Sequence, residues 1–167
     1  DSSLMARILG NIGVVYFHQG DTMNAMDYYQ RRMVIAEAIG QKDILAEVLN
    51  NIAAIHQERN EYDRAIAEYE RSLQLARDIG YRSVECGSLI NLGVLHAQRN
   101  DYALAMDFYH RAMSIAEESG DQDGVAQSCL AIGRAYRSMD DRAQALSWGR
   151  RALAIAQGTR SIMLVRN

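Results

Sequence analysis

The chain has 167 residues and a formal net charge of −3, and 49% of its residues are hydrophobic while 23% are charged. This composition supplies a packed core and argues against a disordered chain, and the slight negative charge argues against a protein that binds nucleic acid through phosphate contacts. The apolar runs are shorter than the roughly 18 residues of a membrane span, and no signal-peptide pattern opens the chain. Two cysteines, Cys86 and Cys129, provide neither a disulfide framework nor a metal-ligand pair, so a reducing cytoplasm is the simplest compartment.

The sequence repeats every 40 residues without a gap. Series with the same residue in all four copies are Ala25, Ala65, Ala105 and Ala145; Ala36, Ala76, Ala116 and Ala156; and Arg31, Arg71, Arg111 and Arg151. Chance does not produce ungapped four-fold matches at several registers. We therefore predict one domain over 1–160, built from copies at 1–40, 41–80, 81–120 and 121–160, with a tail at 161–167.

Each copy predicts two helices. In the first copy, apolar residues such as Ile8, Ile12 and Val15 recur at helical spacing. Extending this pattern along the chain predicts helices near 4–18, 22–39, 44–58, 62–79, 84–98, 102–119, 124–138 and 142–157. No strand is expected.

The helix ends are also predicted by the repeat. The first helix of each copy is expected to follow a capping side chain that accepts from its free N–H groups, at Ser3, Asp43, Ser83 and Asp123. It is expected to stop at a residue that tolerates the left-handed conformation, at Gly20, Asn60, Asn100 and Asp140. An acidic residue follows each stop and favours the start of the next helix.

Small residues predict close helix packing. Gly13, Ala53, Gly93 and Gly133 share one register of the first helices. The alanine series of the second helices faces them, and Tyr29, Tyr69 and Tyr109 fill the space opposite. We expect Ala65 and Ala105 to be buried and Arg71 to lie on the outer face. Because one helix pair cannot bury its apolar face alone, stacked pairs predict an α-solenoid.

These residues resemble the tetratricopeptide repeat. The pattern in the third copy stands as Leu89, Leu92, Gly93, His96, Asn100, Asp101, Tyr102, Ala105, Tyr109 and Ala112. The 40-residue period and the absence of proline are similar to the extended repeats of kinesin light chains, of spindle and receptor-signalling adaptors and of bacterial regulators. The resemblance implies an all-α, right-handed solenoid of four helix-turn-helix repeats with eight antiparallel helices. It also implies that the first helices line a concave groove, where an extended or helical partner segment binds.

Carried over by position, the predicted groove residues are Asn11, Phe17, Asn50, Asn51, Gln57, Asn91, Val94, Gln98, Gln127, Arg134 and Arg137. Asn11, Asn51 and Asn91 form a ladder of amides, and an amide can both donate to and accept from a peptide backbone. The alternative is that these amides bond to neighbouring helices. Likewise, Arg134 and Arg137 are either a basic end of the groove or two solvated side chains.

Function is predicted only as a class. No catalytic residue, cofactor or metal site is predicted, since the four histidines lack metal-ligand spacing and no nucleophile grouping is present. The leading hypothesis is a non-enzymatic, cytoplasmic scaffold that binds a protein or peptide partner, without nucleic acid or membrane. The alternatives are a homo-oligomerisation module and a peptide-sensing regulatory module of a larger protein.

The two ends of the chain carry further expectations. The chain starts at Asp1 without methionine, which indicates a piece cut from a longer protein. Near the other end, the apolar run 162–165 follows the last complete repeat. We expect residues 161–165 either to cap the last helix or to pair with another copy of the chain.

Overall fold

A computed structural model of the protein describes the backbone of residues 1–165 and the side chains of residues 1–158. Over these residues it contains helices and no strand. The helices are α1 (Ser2–His18), α2 (Thr22–Ala38), α3 (Lys42–Glu58), α4 (Tyr62–Asp78), α5 (Arg82–Gln98), α6 (Tyr102–Ser119), α7 (Gln122–Ser138) and α8 (Arg142–Val165). The predicted fold class, four helix-turn-helix repeats with two helices each, is confirmed.

The chain divides into two compact units, which we call unit 1 (residues 1–88) and unit 2 (residue 89 onward). The boundary lies within α5. Unit 1 contains α1 to α4 and the first turns of α5, and unit 2 contains the rest of α5 and the helices that follow. The single domain over 1–160 stays a prediction.

The expected caps of the first helices were wrong by two residues. Asp1 caps α1, where its carboxylate accepts from the backbone N–H of Ser3 at 3.0 Å. Asp121 caps α7 in the same register and accepts from the N–H of Gly124 at 3.0 Å. Ser3, Asp43, Ser83 and Asp123 lie inside the first turns instead. Asp43 and Asp123 remain favourable there because a carboxylate in a first turn faces the positive end of the helix dipole.

The predicted stops of the first helices are confirmed. Gly20, Asn60, Asn100 and Asp140 all adopt positive φ, between 59° and 78°. The next helix then starts on an acidic cap, as at Asp21, which accepts from the N–H of Asn24 at 3.0 Å. A left-handed residue followed by an acidic cap thus reverses the chain between the two helices of a repeat.

The last helix is longer than expected, since α8 continues to Val165 rather than ending near 157. Earlier second helices are followed by a left-handed glycine, as at Gly80 and Gly120. The corresponding position here is Arg160, and no proline interrupts the following residues. The expected packing of the side chains of 161–165 lies outside the described residues.

The two units contain the same close contact between first and second helix. In unit 1, a Cβ atom placed on Gly13 would lie 2.5 Å from the ring of Tyr29. In unit 2, Gly93 leaves the same space for the ring of Tyr109. Both tyrosines are buried. A side chain on either glycine would displace a buried ring.

The outer surface also follows the prediction. The arginine series is exposed, and the side chains of Arg31 and Arg71 are 57% and 58% accessible. Arg31 pairs with Asp27 and Arg111 with Asp107, both at i,i+4 on exposed second-helix faces. Such exposed pairs contribute only a few tenths of a kcal/mol each, about 0.3–0.5. Among the described residues, no helix combines the length and hydropathy needed to cross a membrane.

Replacing Ala65 by Leu should destabilise the fold, because Ala65 is 0% exposed and the added atoms overpack the contact. We expect a loss of about 1–3 kcal/mol in the free energy of unfolding. The matched control is Ala67→Leu in the same helix, where the side chain is exposed and the change should stay within about 0.5 kcal/mol. Urea unfolding measures the free energy of unfolding of both variants. Equal losses in the two variants would contradict the observed orientation of the helix.

Candidate functional site

Unit 1 contains a polar cavity of about 610 Å³ between α1, α3 and the first turns of α5. Three predicted groove residues, Asn11, Asn50 and Asn51, line it. Asn11 is exposed, and the other two are half-buried. The structure therefore gathers the amides of the first two repeats around one cavity.

An ion pair between a buried arginine and a partly exposed carboxylate forms part of this cavity. The guanidinium of Arg32 donates through Nη2 to Glu47, and the Arg32 side chain is only 8% exposed. The hydroxyl of Tyr81 donates to the other oxygen of Glu47 at 2.7 Å, and this bond raises the pKa of Tyr81. Within the part of the chain that the structure describes, the buried Nε of Arg32 has no partner.

Arg32 was not predicted as a site residue, although the repeat carries a signal for it. The other copies have Ser72, Ala112 and Ala152 at this position. The space for the larger side chain comes from Gly10, whose added Cβ would lie 3.0 Å from the Arg32 guanidinium. Arg32 and Gly10 are therefore a large and a small residue in contact, and neither residue type occurs at its position in another copy.

A chain of hydrogen bonds fixes Asn50 at the cavity wall. The Nδ2 group of Asn50 donates to the hydroxyl of Ser88 at 2.7 Å. The hydroxyls of Ser88 and Ser72 lie 3.1 Å apart, and Ser72 donates to the carbonyl of Ala46 at 2.7 Å. Both serines are fully buried. The orientation of the Asn50 amide is thus set by the helices packed behind it.

Unit 2 contains a different cavity, of about 410 Å³, between α5, α6 and α7. Four predicted groove residues line it, namely Val94, Gln98, Gln127 and Arg134. The other lining residues are mostly apolar, with Ile90, Leu130 and Ala131 among them. This cavity combines an apolar wall with amides and a single arginine.

Tyr109 connects the core of unit 2 to this cavity. In the second repeat the corresponding hydroxyl, of Tyr69, donates to Gln57 at 3.1 Å. The counterpart of Gln57 is Ala97, which offers no side-chain acceptor. No side chain of the described residues pairs with the Tyr109 hydroxyl. Burial raises the pKa of Tyr109 to about 12, and nearby Arg134 opposes that rise.

Four predicted groove residues lie outside both cavities. Phe17 packs against the core of unit 1, and Gln57 accepts from Tyr69. Asn91 is half-buried and Arg137 is exposed. The structure thus brings together seven of the predicted side chains, in two separate places, and leaves these four apart.

The histidines and cysteines have ordinary structural surroundings. His56 pairs with Glu61 at 2.8 Å, and His96 stacks on Phe108. Cys86 and Cys129 are buried. In the region with described side chains, no group of three or more His, Cys, Asp or Glu residues is arranged to hold a metal ion.

A sequence profile described as tetratricopeptide repeat matches residues 4–78 and 85–158. The chain belongs to the tetratricopeptide repeat family. The match covers both units and all four copies of the repeat. A comparison with curated protein sequences gives no match.

Several solved structures share the tetratricopeptide fold of this chain. BtubC (BKLC) from P. vanneervenii is 23% identical with a TM-score of 0.76, over 96% of this chain and 66% of that one. The Rap conjugation gene regulator of plasmid pLS20, solved with the Phr* peptide, is 19% identical with a TM-score of 0.86, over 96% and 44%. Aspartyl phosphate phosphatase F from Bacillus subtilis is 17% identical with a TM-score of 0.84, over 99% and 43%. The chain therefore spans less than two thirds of each.

Glu47→Ala should destabilise unit 1, because it leaves the buried Arg32 cation without its carboxylate partner. We expect a loss of about 2–3 kcal/mol in the free energy of unfolding. Asp43→Ala is the control, since Asp43 lines the same cavity but is exposed and should cost under about 1 kcal/mol. Urea unfolding measures the free energy of unfolding of the two variants. A loss at Glu47 no larger than that at Asp43 would show that the buried Arg32 cation does not depend on the Glu47 carboxylate.

Tyr109 should make stability fall at alkaline pH. Its pKa is raised from 10 to about 12 in the folded chain, so the folded state holds the phenol proton more tightly than the unfolded state. This contribution is complete below pH 10 and is lost as pH rises from 10 towards about 12. Tyr109→Phe should therefore lose less stability over that interval than the wild type in urea unfolding. If Tyr109→Phe has the same pH dependence of stability as the wild type, Tyr109 is not the group whose titration lowers stability.

Proposed function

We propose that the chain is a protein-interaction module that binds a peptide segment of a partner through its first helices. The observation that carries this proposal is the polar cavity of unit 1, where Asn11 and Asn51 present amides beside the ion pair of Arg32 and Glu47. An amide has a donor and an acceptor, as a peptide bond has, so it can pair with a backbone whatever the side chains of that backbone.

The charges of the cavity fit a peptide backbone better than a strongly charged ligand. Its lining holds two arginines, Arg7 and Arg32, and two acidic residues, Asp43 and Glu47. These charges balance, so neither sign of ligand is strongly favoured. The amides then supply the directional bonds.

Similar folds support this proposal. The Rap conjugation gene regulator was solved with the Phr* peptide, and another Rap protein, 20% identical to this chain, with Competence and Sporulation Factor. Identities this low establish only the shared fold. That this chain binds a peptide is therefore a proposal. We also propose that the module is non-enzymatic and cytoplasmic, as is typical of an interaction repeat in a reducing compartment.

Homo-oligomerisation is a second candidate, favoured by exposed apolar faces. On α1, Leu4, Met5 and Ile8 are each 50–55% exposed. On α8, Leu146 and Leu153 are 56% and 57% exposed. Exposed apolar patches mark contacts with proteins. A mass that rises with concentration in light scattering, without peptide, would favour this candidate, and a constant monomer mass would exclude it.

Peptide binding can be tested with a random heptapeptide library selected on the immobilised chain, followed by calorimetry of the selected peptides. Asn11→Ala combined with Asn51→Ala should weaken binding about tenfold or more, because backbone bonds are lost. The free energy of unfolding should change by under about 1 kcal/mol, since Asn11 is exposed and Asn51 half-buried.

Asn24→Ala is the matched control, because Asn24 is exposed on α2 and outside the cavity. It should leave the dissociation constant unchanged. An unchanged constant in the double variant, or an equal loss in the control, would show that the amides of unit 1 do not bind the peptide.

A further inference from the structure

One second-helix position departs from the repeat in the second copy. In the other copies this position holds an aromatic residue, namely Tyr28, Phe108 and Trp148. The ring of Tyr28 stacks on Tyr16, with the ring centroids 5.4 Å apart. The ring of Phe108 likewise stacks on His96, with the centroids 5.5 Å apart. In the second copy the position is occupied by Glu68, which has no ring to stack on the first helix.

The first-helix residue that corresponds to Tyr16 and His96 is His56. Its Nδ1 atom lies 2.8 Å from a carboxylate oxygen of Glu61, and this contact fixes the orientation of the imidazole. The His56 side chain is 15% exposed. The second copy therefore has an oriented ring where the first and third copies have two stacked rings.

A cavity of about 350 Å³ lies at this position, between α2, α4 and the end of α3, and we call it the second-helix cavity. His56 and Glu68 both line it, and Met26 and Met33 of α2 form an apolar wall. Its lining shares no residue with that of the polar cavity of unit 1. Because both members of the His56 and Glu68 pair line it, this cavity takes the place that an aromatic ring has in the first and third copies.

Glu68 also changes the pairing of an arginine. In the other copies the arginine three residues after the aromatic residue lies over its ring at 5.3–5.4 Å, at Arg31, Arg111 and Arg151. Arg151 also donates to Glu117 at 2.9 Å. The corresponding pair in unit 1 would be Arg71 with Glu37, but Arg71 bonds to Glu68 at 2.8 Å instead. Among the described residues, the Glu37 carboxylate is left without a partner, at the lining of the cavity.

The lining fits a neutral group with an apolar body and a polar edge. Three arginines and three glutamates line the cavity, so neither sign of charge is strongly favoured. The sulfur atoms of Met26 and Met33 offer favourable contacts to an aromatic ring. The carboxylate of Glu37 can accept a hydrogen bond from an N–H or O–H group at the edge of such a ring.

We propose that the second-helix cavity binds an aromatic side chain with a donor group, Trp or Tyr, carried by a partner protein. The ring stacks on His56 beside Met26 and Met33, and its N–H or O–H donates to Glu37. This inference goes beyond the proposed function, because it uses the outer surface between two second helices and no residue of the polar cavity. It gives the module a second contact with a partner of stated chemistry.

Four neutral peptides test this site in an NMR titration of the full chain labelled with ¹⁵N. They have the form acetyl-Gly-X-Gly-amide, where X is Trp, Tyr, Phe or Leu. The Trp and Tyr peptides have the ring and the donor, the Phe peptide has only the ring, and the Leu peptide has neither. All four have the same backbone, so differences between them report the side chain alone.

We expect the Trp peptide to bind about fivefold or more tightly than the Leu peptide, because ring contacts contribute more than their buried area. The Phe peptide should lie between them. The Trp peptide should shift the amide signals of Met33 and His56. Equal binding of the Trp and Leu peptides, shifts confined to other regions, or no shift at millimolar peptide would overturn the proposal.

Filling the cavity from within is the most direct variant. Glu68→Trp places a ring where the other copies have one, so it should abolish the shifts at Met33 and His56. It should also raise the thermal midpoint by about 2–4 °C, since a ring is buried against existing side chains. Ala67→Trp is the matched control, because Ala67 is exposed on the same helix and outside the cavity. It should leave both peptide binding and the midpoint unchanged.

A second variant tests the donor. Glu37→Ala should lower the affinity of the Trp peptide to that of the Phe peptide and leave the Phe peptide unaffected, because only the acceptor is lost. Glu37 is exposed, so the fold should be retained. A Trp preference that survives Glu37→Ala, or full peptide binding by Glu68→Trp, would contradict the assigned geometry.

The outcomes distinguish this inference from the proposed function. The double variant Asn11→Ala and Asn51→Ala should leave the shifts at Met33 and His56 unchanged, since neither asparagine lines the second-helix cavity. If the preference for Trp is absent while the asparagine variants weaken the library-selected peptides, only the second-helix site is wrong. If the preference is present and Glu68→Trp abolishes it while the asparagine variants have no effect, the second-helix site stands and the role of the polar cavity fails.

Discussion

The repeated contact between a small first-helix residue and a second-helix tyrosine determines how the two helices pack in the first three repeats. Gly13 and Gly93 leave room for tyrosine rings, and in the second repeat Ala53 and Tyr69 occupy the same positions and are buried. Buried ring area and close helix approach depend on each other here, because a larger first-helix residue would displace the ring. In unit 2 this contact also borders a cavity, since Tyr109 is both a core residue and part of the cavity wall.

The cavities differ because the repeat keeps its packing residues and changes the residues beside them. The position of Gly10 is occupied by Asn50, Ile90 and Leu130 in the later copies. None of these residues provides the close contact under a tyrosine ring, so the fold tolerates glycine, an amide or an aliphatic side chain there. One backbone arrangement can therefore carry a polar cavity in unit 1 and an apolar one in unit 2.

Much of the fold was predictable because it depends on local, repeated signals. Left-handed residues and apolar spacing recur every 40 residues, and the alanine series are buried in the first three copies, as their pattern predicts. The caps were not predictable, since Ser3 and Asp1 are both able to cap and only the backbone geometry decides between them. The candidate site was predictable in part. Arginine is usually solvated, and the burial of Arg32 depends on space left by Gly10 and on a carboxylate 15 residues away.

The burial of Arg32 is better explained by binding than by stability. Replacing a buried ion pair by apolar residues is often neutral or stabilising, so such a pair is weak support for a stabilising role. The other copies have an uncharged residue at this position. These residues are Ser72, Ala112 and Ala152, and all three are buried. An arginine kept for structure alone would also be expected to have its donors paired, whereas its buried Nε has no partner among the described residues. Because this buried arginine, which the other copies lack, lies at the cavity that holds Asn11 and Asn51, the unit 1 cavity remains the best candidate for backbone recognition.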